Sequence, residues 1–131
     1  MDITHFDDLL LAARAQPRPQ RLLFVFAAAV LPDGATAAQR AAFAAGEGGA
    51  LEPLMCVDKS PAELQDFAAL VQESRQFGRD WHIVFAAAVD GRDSASADAP
   101  LQRMVEAIRG GRLAGLLPLD RDGRAVALGG G

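Results

Sequence analysis

The sequence is poor in the residues that form disulfides and metal sites. It has one cysteine, Cys56, and two histidines, His5 and His82, which fall in different predicted elements. One cysteine excludes an internal disulfide and any cysteine-based zinc or iron–sulfur site within a single chain. Because proteins of reducing compartments rarely contain disulfides, we expect a cytoplasmic protein. We also expect that it carries no cofactor.

An excess of positive charge is also missing. The chain has 13 lysines and arginines against 17 aspartates and glutamates, a formal net charge of −4, and its basic residues are scattered. Nucleic acids and anionic membranes bind positively charged surfaces, so we expect neither as a partner. Half of the 131 residues are hydrophobic, which is enough for one core. We predict a single domain over 1–131, with a helix and proline linker at 1–20 and a flexible tail at 129–131.

No hydrophobic run in the sequence is long enough to span a bilayer. The run at 22–31 has ten residues, about half of what a transmembrane helix needs, and acidic rather than basic residues precede it. Its segment Val-Phe-Ala-Ala-Ala-Val, at 25–30, recurs at 84–89. We interpret both copies as buried strands.

Hydrophobic periodicity and turn residues predict alternating helices and strands. The predicted helices cover 4–15, 37–45, 61–77 and 100–109, and the predicted strands cover 22–30, 53–57, 81–89, 113–119 and 124–128. This order indicates an α/β fold, with α+β as the alternative. We expect one mixed or mostly parallel sheet of four to five strands, about four flanking helices and a C-terminal β-hairpin. If 37–45 is instead a loop, the first two strands could pair antiparallel.

The sharpest local signal is the start of the third predicted helix. Ser60 and Glu63 have the spacing of a capping box, and Pro61 suits the first helical position. Cys56 lies four residues before this cap, where the helix N-terminus and Lys59 could stabilise a reactive thiolate. The alternative, which we favour, is a small residue buried in the second strand.

Three further parts of the sequence each have a functional and a structural interpretation. Asp58, Lys59 and Ser60 could form a small-anion site at the free amides of the helix start, or they could be turn residues and a cap. Trp81 could face a partner, but a half-buried packing role is the favoured interpretation. The acidic segment at 120–123 lacks the downstream glutamate of a calcium loop and predicts a hairpin turn.

Five segments resemble a family of short proteobacterial proteins with no established function. They are Phe6-Asp-Asp-Leu-Leu, Pro19-Gln-Arg-Leu-Leu-Phe-Val-Phe, Gly46-Glu-Gly-Gly-Ala-Leu, Pro53-Leu-Met-Cys-Val-Asp-Lys and Glu73-Ser-Arg-Gln-Phe-Gly. Members of that family often carry the label "ribonucleotide reductase subunit alpha". The catalytic subunit of that enzyme is a long barrel with a radical cysteine and a redox cysteine pair, and this chain has one cysteine. The resemblance therefore implies at most an accessory role.

A second resemblance, in outline only, is to the N-terminal domain of SseB-like proteins. It rests on residues 54–64, a strand that ends before a Ser-Pro helix cap, and on residues 114–119, a late strand that contains glycine. This resemblance implies a mixed α/β sheet and transfers no catalytic residue.

Together these observations predict a non-catalytic interaction or regulatory module. We expect it to bind a protein partner, or a second copy of itself, through an edge strand at 124–128. One alternative is a small-ligand, anion-binding or thiol-dependent site at 56–60. The other is the accessory role in ribonucleotide reduction.

Overall fold

Helices and strands alternate along the chain. A computed structural model describes residues 3–31, 34–44, 50–78, 80–91 and 97–126. The helices within these ranges are α1 (Phe6–Arg14), α2 (Ala37–Ala44), α3 (Phe67–Arg75) and α4 (Asp98–Arg109), and the strands are β1 (Gln20–Val30), β2 (Ala50–Lys59), β3 (Ile83–Asp90) and β4 (Leu117–Leu119). A 3-10 turn, Pro61–Glu63, lies between β2 and α3. The predicted combination of helices with a single sheet is confirmed.

The strands form one antiparallel sheet in the order β2, β1, β3, β4. The prediction of a mixed or mostly parallel sheet is therefore wrong. Parallel neighbours need a connection that crosses from one end of the sheet to the other. The eight-residue α2 makes few contacts with the sheet, so the chain leaves β1 and returns as β2 at the same end. Antiparallel pairing occurs although this connection is helical.

The central strand β1 is covered on both faces, as its sequence predicts. Residues 22–27 are at most 1% exposed. Leu22 and Phe24 pack in a core with residues of α1 and α3, whereas Leu23 and Val25 pack in a second core with α4. The helices thus cover opposite faces of the sheet.

Two helices bury the faces that their periodicity predicts. The buried residues of α1 are Phe6, Leu9, Leu10 and Ala13. Those of α4 are Leu101, Met104 and Ile108. α4 begins at Asp98, two residues before its predicted start at Pro100. Pro100 still lies in the first turn, where a missing backbone N–H breaks no helical hydrogen bond.

The predicted third helix is interrupted after its first turn. Leu64 leaves the 3-10 turn with extended backbone, φ −100° and ψ 127°, and α3 begins only at Phe67. Leu64 is 4% exposed and packs in the core that includes α1 and α3. Asp66 Oδ1 then accepts a hydrogen bond from the Ala69 amide at 2.9 Å. Burial of Leu64 and the second cap at Asp66 explain why α3 begins later than predicted.

Strand lengths also differ from the predictions. β2 covers 50–59 rather than 53–57, β3 covers 83–90 rather than 81–89, and β4 keeps only 117–119 of the predicted 113–119. The turn predicted at 120–123 is present. After it, Arg124 and Ala125 form isolated bridges to His5 and Leu119 in place of a regular edge strand. The end of the predicted strand 124–128 and the predicted tail 129–131 lie outside the described residues.

Candidate functional site

Cys56 lies on the outermost strand, β2, and its side chain is exposed. The favoured interpretation of a buried cysteine is therefore wrong. Among the described residues β2 has a strand neighbour only on the β1 side, so its side chains are less covered than those of β1. The exposure of this residue keeps the thiol alternative open.

The surroundings of Cys56 disfavour a thiolate. Desolvation of the sulfur raises the pKa of the thiol, and the carboxylates of Asp98 and Asp58 raise it further. The Lys59 ammonium, which the sequence suggests as a stabilising charge, lies 2.9 Å from Glu73 Oε1. Because the thiolate is the nucleophilic form, the raised pKa lowers the nucleophilic fraction of Cys56 at neutral pH.

Asp58, Lys59 and Ser60 follow one another at the end of β2. Each of them forms an ion pair or a hydrogen bond with another residue of the chain. Arg21 Nε lies 2.6 Å from Asp58 Oδ2. The Ser60 amide donates a hydrogen bond to Glu63 Oε1 at 2.9 Å. The paired charges of this group are Arg21 and Lys59 on one side and Asp58, Glu63 and Glu73 on the other. A group with more carboxylates than cations does not favour an anion.

These pairs stabilise local structure. Arg21 reaches from β1 to Asp58 on β2 and, through Nη1, to Glu63 Oε1 at 3.4 Å. Hydrogen bonds from the backbone and the hydroxyl of Ser60 lower the pKa of Glu63, and Arg21 and Lys59 lower it by smaller amounts. The predicted capping role of Glu63 is present, although it closes a 3-10 turn rather than a helix.

A cleft of about 550 Å³ lies where the start of α1, α3 and the turn at 120–123 meet. Its apolar lining comes from Phe67, Ala68 and Val71 of α3. Its polar and charged lining residues are His5, Asp7, Asp66, Gln72, Arg75, Arg121 and Asp122. Three separate segments supply this lining. No local motif in the sequence therefore pointed to the cleft.

His5 joins two of the segments that line the cleft. Its Nδ1 accepts a hydrogen bond from the Asp7 amide at 3.0 Å, and its Nε2 lies 3.1 Å from the Asp122 carbonyl oxygen. These two contacts fit a neutral ring with its proton on Nε2. His5 is thus the N-cap of α1, in place of the predicted Thr4. Because both ring nitrogens of His5 already make these contacts, neither is available to accept a proton from a ligand.

The remaining cleft contacts are also structural. Arg121 Nε donates a hydrogen bond to the Trp81 carbonyl at 2.7 Å. Trp81 is 5% exposed and packs in the core. Its predicted packing role is confirmed, with deeper burial than expected. Among the described residues that line the cleft there is no hydroxyl or thiol side chain.

The outer edge of β2 is the fourth candidate site. One hydrogen bond shows in which direction its backbone N–H and C=O groups point. The His82 amide donates to the Ala27 carbonyl at 2.9 Å, so the peptide groups of Ala27 face β3. Its neighbour on β2, Pro53, is therefore not hydrogen-bonded to it. This arrangement suits proline, which has no N–H to donate and is tolerated on edge strands.

A bulge separates Pro53 from the regular part of the strand. Phe26 pairs with Met55 and Ala27 with Pro53, which leaves Leu54 as the extra residue. From Met55 onward the ladder is regular to Lys59. Alternation along an antiparallel ladder directs the N–H and C=O groups of Cys56 and Asp58 away from β1. We call residues 55–59 the β2 edge.

Comparisons with protein families, with curated proteins and with solved structures found no match to this chain. The two family resemblances therefore stay predictions. Within the described ranges, no helix has the length and apolar character needed to cross a bilayer. In the same ranges, no three His, Cys, Asp or Glu side chains group together as a metal site requires.

Proposed function

We propose that this chain is a non-catalytic interaction module that binds a protein partner along the β2 edge. The observation that carries the proposal is the position of β2, a ten-residue strand whose outer side has no strand partner among the described residues. Edge strands present free N–H and C=O groups that an added strand can bind. In this proposal the β2 edge, and not the predicted edge strand at 124–128, binds the partner.

The state of the predicted site residues supports binding through the backbone. Asp58 and Lys59 are engaged by Arg21 and Glu73, and Ser60 is engaged by Glu63. The side chains of Asp58 and Lys59 and the backbone amide of Ser60 are therefore occupied, whereas the N–H and C=O groups of Cys56 and Asp58 face outward. Half-buried apolar side chains at 55 and 57 would lose further exposure when a strand is added beside β2.

An accessory role in ribonucleotide reduction, which the first resemblance implies, would be one instance of such a module. The thiol alternative rests on the exposure of Cys56. The raised pKa of Cys56 weighs against it.

A matched pair of substitutions at Cys56 separates these functions. Cys56→Ala removes only the thiol, whereas Cys56→Pro also removes the outward N–H without removing a hydrogen bond to β1. We expect a partner captured from the native cytosol to be retained by Cys56→Ala and lost with Cys56→Pro, with thermal unfolding confirming that both proteins fold. Loss with both variants would support the thiol function, and retention by both would place the contact elsewhere.

A further inference from the structure

We draw no further inference here: the strongest candidate, the cleft of about 550 Å³ between the start of α1, α3 and the turn at 120–123, is lined by exposed charged side chains of both signs that select no class of ligand, and nothing in the structure shows what covers it.

Discussion

Trp81 Nε1 donates a hydrogen bond to Ser74 Oγ at 2.9 Å, and the Ser74 hydroxyl donates in turn to the Val71 carbonyl at 2.6 Å. Ser74 is 2% exposed and is the buried polar residue of the described chain. The indole also packs edge-on against Phe26, with ring centroids 5.0 Å apart. This relationship fixes α3 to the residue that leads into β3.

The bond predicts a cost for Ser74→Ala. Removing the hydroxyl leaves the buried indole N–H without a partner, so we expect a loss of about 1–3 kcal/mol in the free energy of unfolding. Urea denaturation measures the loss. In a Trp81→Phe background the same substitution should cost less, because no indole remains to be satisfied. An equal cost in both backgrounds would show that the hydrogen bond does not contribute.

The lowered pKa of Glu63 predicts a pH-dependent stability. A carboxyl group whose folded pKa is lowered stabilises the fold when ionised, and that stabilisation is lost as the pH falls through the lowered pKa. The wild type should therefore exceed Glu63→Gln in free energy of unfolding at pH 7, and the difference should shrink towards pH 3. Glu106→Gln, on exposed α4 surface, is the control. A difference that stays constant with pH would contradict the role of the ionised carboxylate.

Sequence predicted most successfully the features that depend on local periodicity. The apolar faces of α1 and α4 and the two-sided burial of β1 follow from side-chain spacing, which folding does not alter. Strand direction failed because it depends on whether α2 crosses the sheet. The start of α3 failed because Ser60 and Asp66 are both good caps, and burial of Leu64 decides between them.

The candidate sites show the same division between local and non-local information. Exposure of Cys56 depends on β2 being outermost, which only the strand order reveals. The cleft joins His5 to Asp122, far apart in the chain, so no motif marks it. By contrast, the pairing partners at 58–60 include Glu63, whose capping position was visible in the sequence.

The environment of Cys56 predicts slow reaction with a polar disulfide reagent. Because Cys56 is an exposed residue, its thiol should react to completion in the native protein. Its raised pKa should keep the rate at pH 7 below that of a free cysteine peptide. Asp98→Asn removes the larger of the two carboxylate effects and should lower the thiol pKa and raise the rate, measured by absorbance of the released thiol. A native rate above that of the peptide would restore Cys56 as a catalytic candidate.

Gly123 and Gly115 form a matched pair for measuring the contact between the turn at 120–123 and α3. Both have left-handed backbone, with φ +82° and +83°. A Cβ added at Gly123 would lie 3.0 Å from ring atoms of Phe67 and 3.2 Å from His5 Nε2, whereas at Gly115 nothing lies within 4 Å. The two positions therefore share a backbone cost and differ in packing.

We expect Gly115→Ala to lose about 1–2 kcal/mol of unfolding free energy from backbone strain alone. Gly123→Ala should lose at least about 1 kcal/mol more, because Phe67 is buried and cannot move aside without disturbing the core. Denaturant unfolding of the two variants gives the difference directly. Equal losses would mean that the turn and the rim of the cleft yield to the added methyl group, and that the hydrogen bond from His5 to Asp122 does not hold them rigidly.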